Sequence, residues 1–176
     1  MTTTKSLLEL TAKDLMTESV MVIPQEMSMQ GAARRFMEKD VHGAPVVDEG
    51  GHCVGVLSTS DFLFLAGAAK KADLQGDGKK NYFSPWQIVS PGDLPEEAVS
   101  KHMTPDPVKV TPDTTIAELA EMMLDAHIHR LIVVENEGRP VGIVSCTDIL
   151  AALARAGKRA RQQKEAEVAA LSGVDF

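Results

Sequence analysis

The chain carries the same pattern twice. Arg139 to Leu150 reads RPVGIVSCTDIL, and His52 to Leu63 reads HCVGVLSTSDFL. Gly142, Ser145 and Asp148 each stand 87 positions after Gly55, Ser58 and Asp61 (142 minus 55, 145 minus 58, 148 minus 61). The same displacement carries Met16-Thr17 onto Met103-Thr104, His42 onto His129, and Val46-Val47 onto Val133-Val134, with no gap. A constant displacement of this kind constrains the fold before any single residue does, because each copy must then be one supersecondary unit.

One physical logic runs through both copies. The apolar runs Ala44 to Val47 and Leu131 to Val134 predict buried strands. Turns follow at Asp48-Glu49-Gly50-Gly51 and Glu135-Asn136-Glu137-Gly138, where acidic and glycine residues suit a tight reversal. Second apolar runs, Val54 to Leu57 and Val141 to Val144, complete two hairpins. Each hairpin leads into Ser-x-x-Asp and a Leu/Ala-rich helical run. Ser58 and Ser145 occupy N-cap positions, with Asp61 and Asp148 three residues on, which is a capping box with Asp in place of Glu or Gln. On the residues alone, helix capping accounts for all four.

Outside the hairpins the chain reads as follows. Thr2 to Thr11 is an arm with a helical piece at Ser6 to Leu10, and Ala12 to Met16 leads into the first repeat. Met21-Val22-Ile23 predicts a strand ended by Pro24. Ser28 to Lys39 has helical spacing with Met29, Ala32, Ala33, Phe36 and Met37 directed to the core. A helix from about Asp61 to Ala69 closes the copy. Lys70 to Pro95 interrupts the repeat: a turn-rich linker, then Tyr82-Phe83-Ser84-Pro85-Trp86, an aromatic cluster expected to pin the loop to the fold. The second copy adds helical Glu96 to Lys101, a Val108-Lys109-Val110 strand, and a helix from Ile116 to Ala126 with Ile116, Leu119, Ala120 and Met123 inward. A long helix runs from Asp148 to about Ala170, and Val174 to Phe176 is expected to fray. The boundaries are thus 1–12 for the arm, 13–69 for repeat one, 70–97 for the insert, 98–156 for repeat two and 157–176 for the helical tail.

Bulk properties narrow the function. The 176 residues carry a net charge of -7, which opposes nonspecific binding to nucleic acid or anionic membrane. Aromatic residues make up 4%, too few for a base-stacking platform. No apolar run spans a bilayer and the start has no signal-like stretch, so the cytoplasm is the expected compartment. Cys53 and Cys146 are far apart and fit buried thiols better than a disulfide or zinc site. His127-Ile128-His129 lacks carboxylate or Cys neighbours at ligand spacing, so no metal is expected.

Two strand-helix-strand-strand-helix copies, each ending Gly-x-x-Ser-x-x-Asp, resemble CBS domains, named after cystathionine β-synthase, and a pair of them resembles a Bateman module. The resemblance covers about Lys13 to Ala66 and Ala98 to Ala154. It implies an α/β (α+β) fold of two pseudo-symmetric repeats, frequent homodimerisation, and regulation of a partner protein rather than catalysis. It also implies an adenosine-containing ligand (AMP, ADP, ATP or S-adenosylmethionine) in clefts between the repeats, with no other cofactor. In that pattern the Asp holds the ribose hydroxyls.

Carried over residue by residue, the resemblance implies two unequal clefts. Cleft one takes Ser58 and Asp61 from repeat one. From repeat two it takes Thr104, the Val108, Lys109 and Val110 strand, and His129-Arg130. The run His129-Arg130-Leu131 resembles the phosphate-touching His-Arg-Leu of the AMP-activated kinase γ subunit. Cleft two takes Ser145 and Asp148, with Thr17, Met21, Val22, Ile23, His42 and Gly43. Gly43 stands where cleft one has Arg130, so cleft two is expected to be weaker for AMP-like ligands, to hold an uncharged adenosyl group, or to stay empty. Three rival readings remain. The first is an interaction module that has lost its ligand. The second is a nucleic-acid binder using Lys70-Lys71, Lys79-Lys80 and Lys158 to Arg161. An enzyme is the weakest of the three, because the repeats use nearly all the chain.

Overall fold

The structure, a computed structural model, describes residues 5–69 and 89–172. The expected Tyr82 to Trp86 anchor, the Lys70-Lys71 and Lys79-Lys80 spots and the Val174 to Phe176 end lie outside the described residues. The chain divides into two compact units: Met1–Ser19, Val108–Glu135 and Val141–Phe176 form unit one, and Val20–Pro107 with Asn136–Pro140 form unit two.

Unit two holds β2 (Ile23–Pro24), α2 (Met29–Lys39), β3 (Gly43–Val47), β4 (Cys53–Ser58), α3 (Thr59–Ala69) and β5 (Thr104–Pro105). Unit one holds α1 (Ala12–Leu15), β1 (Thr17–Glu18), β6 (Lys109–Val110), α4 (Ile116–Asp125), β7 (Arg130–Glu135), all but the first two residues of β8 (Arg139–Ser145), and α5 (Cys146–Ser172). Each unit builds one four-stranded sheet, ordered β2-β3-β4-β5 and β1-β8-β7-β6. In unit two β2 pairs parallel with β3, while β3–β4 and β4–β5 are antiparallel. The fold is mixed α/β, as the repeats predict.

The short opening strand of each repeat joins the sheet of the other repeat: β1 pairs with β8, and β5 with β4. The leading segments cross in the same way. Ala12 and Lys13 N–H donate to Thr114 and Pro112 carbonyls at 2.8 and 2.9 Å. Val99 and Ser100 N–H donate to Met27 and Gln25 carbonyls at 2.8 and 2.9 Å, which is the same pair of bonds with every residue displaced by the repeat. Left-handed residues follow suit: Ser19 with Asp106 (φ 59° and 46°), Asp40 with His127 (φ 49° and 54°), and Gly51 with Gly138 (φ 81° and 84°). Asp and His are strained there unless the surroundings enforce the turn, so its recurrence ties the backbone itself to the repeat.

The helices start where their caps dictate. Thr115 caps α4: its N–H and hydroxyl both donate to one Glu118 carboxylate oxygen at 2.8 Å. The Thr115 N–H, then the hydroxyl, hold Glu118 below the usual carboxylate range. Ser28 caps α2, accepting from Gly31 N–H at 3.1 Å. Met29, Ala32, Ala33 and Phe36 then recur on the buried face of α2. Phe36 meets Phe62 of α3 edge to face, with ring centroids 5.1 Å apart and both rings fully buried. Unit one carries Met123 and Ile149 at the corresponding positions.

Several expectations need correction. The Met21 to Ile23 strand is only Ile23–Pro24: β2 is an edge strand, where a missing proline N–H is tolerated. The Val108 strand shortens to Lys109–Val110, and helical Glu96 to Lys101 to a single turn at Val99–Lys101. α3 and α5 begin directly after their serine caps, two residues earlier than Asp61 and Asp148. Met37 is 41% exposed and Ala120 half-buried, because each lies at the flank of its helix's inward stripe. Cys53 is buried and Cys146 only half-buried, and neither is in a disulfide.

Candidate functional site

The two Ser-x-x-Asp corners are matching polar features of the two units. In unit two the Ser58 N–H donates to Asp61 Oδ2 at 2.7 Å and the Ser58 hydroxyl to the same oxygen at 2.9 Å. In unit one the Ser145 N–H and hydroxyl donate to Asp148 Oδ2 at 2.8 and 2.6 Å, and Asp148 N–H returns to Ser145 Oγ at 3.3 Å. Capping is therefore real in both copies, as the residues predict. It consumes one oxygen of each carboxylate. Among the described residues no hydrogen bond reaches Oδ1 of either aspartate. A half-buried carboxylate with one oxygen locked and one available is a pre-oriented acceptor for hydroxyl donors, so capping and ligand binding do not compete for the same atom.

The opening strands bring a threonine to each corner. Thr104 pairs with Val56 across β5–β4, two residues before Ser58, and Thr17 pairs with Ile143 across β1–β8, two residues before Ser145. Both threonines are exposed. Behind each corner the helix's first N–H is bound to the residue just before the strand that enters the hairpin: Thr59 N–H to the His42 carbonyl at 3.1 Å, and Cys146 N–H to the His129 carbonyl at 3.0 Å. His42, His129 and Arg130 leave their side chains exposed.

The expected cleft residues thus fall into two within-unit groups. Unit two holds Ser58, Asp61 and Thr104, together with Met21, Val22, Ile23, His42 and Gly43. Unit one holds Ser145, Asp148 and Thr17, together with Val108, Lys109, Val110, His129 and Arg130. Ile23 and Val110 are buried in their units' cores, so their backbones rather than their side chains are what a ligand can meet. Sequence reasoning missed the contribution of Met16 and Met103, which pack on Gly142 and Gly55. The repeated Met-Thr dipeptides were visible, but nothing in the sequence says that they cross to the other copy's sheet.

Two further features belong to this inventory. An apolar groove of about 560 Å³ runs along α4 and α5 of unit one, lined by Met123, Leu124, Ile128, Ile149 and Leu150, with His127, His129 and Cys146 also on its wall. Among the described residues no group of three or more His, Cys, Asp or Glu side chains is placed to hold a metal ion, and no helix is long and apolar enough to cross a membrane.

Comparison with known proteins places these corners in context. The family described as CBS domain matches the chain twice, over residues 12–67 and 96–155. The CBS domain-containing protein CBSX2, chloroplastic, of Arabidopsis thaliana is 27% identical over 151 residues, covering 81% of this chain; the chain spans 63% of that protein's length. The crystal structure of CBSX2 in complex with AMP superposes with a TM-score of 0.62 at 27% identity, covering 82% of this chain and 96% of that one. The CBS domain pair of protein MJ0100, in complex with 5′-methylthioadenosine and S-adenosyl-L-methionine, shares the fold with a TM-score of 0.62 at 20% identity, again covering 82% of this chain and 96% of that one.

Proposed function

Because the chain belongs to the CBS domain family, we propose that it is a regulatory module that binds an adenosine-containing ligand and passes that state to a partner protein. The observation that carries this reading is the doubled Ser-x-x-Asp corner, in which capping leaves one oxygen of each carboxylate for the two hydroxyls of a ribose. The binding of AMP by the similar CBSX2 supports the ligand class. We read the clefts as unequal. They differ in what they can offer a phosphate: the His129-Arg130 run supplies a guanidinium, with Lys109 adding charge, whereas the corresponding His42-Gly43 run supplies none. Arg gives phosphate paired donors that glycine lacks. The chain acts by differential binding: the ligand favours the arrangement to which it binds best and so shifts the population that the partner meets. It works as a binder and not a catalyst, and the cytoplasm is the compartment we assign.

A thermal-shift panel of AMP, ADP, ATP and S-adenosylmethionine on nucleotide-free protein tests the function. A ligand at a hundred times its dissociation constant adds about 2.7 kcal/mol, which is readily seen as a rise in melting temperature. Arg130→Ala is expected to weaken AMP by about 1.5–3 kcal/mol while leaving a phosphate-free adenosyl compound little changed. No shift with any member of the panel favours the interaction-module reading instead.

Self-association is part of the proposal. Leu124, Leu150 and Leu153 are 74%, 63% and 55% exposed on α4 and α5, and neighbouring exposed apolar side chains of this kind suit an interaction surface. We assign this face to a homodimer. Sedimentation of Leu124→Asp/Leu150→Asp is expected to give a monomer where the wild type gives a dimer; an unchanged dimer removes the face from the interface.

A further inference from the structure

We infer that Met103 and Met16 are positioning residues for the two adenosyl corners, each working through a glycine of the strand it lies on. This rests on the function proposed above. Met103 immediately precedes Thr104 and lies on Gly55 of β4. A Cβ built at Gly55 would come within 2.9 Å of Met103 Cγ and 3.1 Å of the Thr104 carbonyl oxygen, and would collide with Met103 Sδ. The other unit repeats the arrangement. A Cβ at Gly142 of β8 would come within 2.8 Å of Met16 Cγ and 3.0 Å of Met16 Cβ, and would collide with Met16 Sδ. Two independent copies therefore use a bare glycine as the seat for a methionine. Neither glycine has a left-handed φ, so the need the two copies share is space and not backbone freedom.

The seat fixes the strand. Gly55 pairs with Pro105 and Val56 with Thr104, so whatever sets Met103 against Gly55 also sets the height of Thr104 beside Ser58 and Asp61. β5 has only two residues, and β1 likewise, so few ladder bonds hold them. The methionine's other side is packed on the hydrophobic core of its unit. A flexible thioether that fills an irregular gap suits this task. The lock is thus local to each corner: Gly55–Met103 serves Asp61, and Gly142–Met16 serves Asp148.

The test is a pair-exchange in an Asp148→Asn background, so that AMP reports on the Asp61 corner alone. Gly55→Ala is expected to weaken AMP about tenfold or more, because a site displaced by about an ångström loses its geometry. Met103→Ala alone weakens it too, by leaving the strand unseated. Gly55→Ala/Met103→Ala, which makes room for the new methyl, is expected to bind more tightly than the Gly55→Ala single variant, the coupling of two side chains that share one space. If Gly55→Ala does not fold, Met103→Val, which shortens the plug without adding bulk to the strand, is read against Met16→Val, which should spare this corner. Equal losses from the two valine variants, losses in the double variant that merely add, or wild-type affinity throughout each overturn the positioning role. Absence of AMP binding before any lock residue is changed is a different result: it overturns the functional reading itself, and the positioning role with it.

Discussion

Phe62→Ala is expected to lower the stability of unit two by about 3–5 kcal/mol, the usual range for deleting a buried aromatic ring from a packed core. Phe62 is fully buried, and its ring meets Phe36 edge to face at 5.1 Å. The loss therefore includes the ring pair as well as the cavity. Against a domain stability of about 5–15 kcal/mol this is a large share, and a urea titration should show the midpoint falling with little change in slope. Phe62 directly follows Asp61, so its burial is also what fixes the first turn of α3 against α2. The same variant should loosen the Asp61 corner before the unit melts. Phe62→Leu, which refills most of the volume, is expected to recover most of the loss. A variant that kept wild-type stability would mean that the pair is not the anchor of this core.

Asp61→Asn and Asp61→Ala are expected to part company. In Asp61→Asn the side-chain carbonyl can still accept from the Ser58 N–H and hydroxyl, so the start of α3 survives. Asp61→Ala loses that box, at about 0.5–2 kcal/mol of stability. For the ligand the two are alike. Both remove the charged acceptor for the ribose hydroxyls, worth about 1.5–3 kcal/mol, or roughly ten- to 150-fold in affinity. Thermal melts without ligand and calorimetry with AMP read the two effects separately. If Asp61→Asn bound AMP as the wild type does, the aspartate would be a cap and nothing more.

Much of the fold was legible in the sequence because the repeat doubled every signal. Gly-x-x-Ser-x-x-Asp, written twice at one spacing, located both hairpins, both caps and both closing helices. Among the described residues, six of the seven positive-φ positions then fell in pairs with the same displacement, Glu137 being the exception. What the sequence did not reveal is tertiary. Nothing local to Thr17 or Thr104 says that a two-residue strand will cross to the other copy's sheet, since such strands have almost no pattern of their own. Pro24 was read as a stop but belongs to β2, because an edge strand can spare its N–H. Met37 has helical spacing yet sits at the margin of the buried stripe, where one residue of rotation decides between core and water. At the corners, Ser58, Asp61, Ser145 and Asp148 were legible as caps. That capping uses only Oδ2 is a matter of geometry that no spacing encodes.

The most direct measurement is a calorimetric titration of nucleotide-free protein with AMP, repeated on Asp61→Asn and Asp148→Asn. Saturable binding dominated by one site per chain is expected, lost in one of the two variants and largely kept in the other. A flat titration of folded wild-type protein, or binding indifferent to both aspartates, would contradict it.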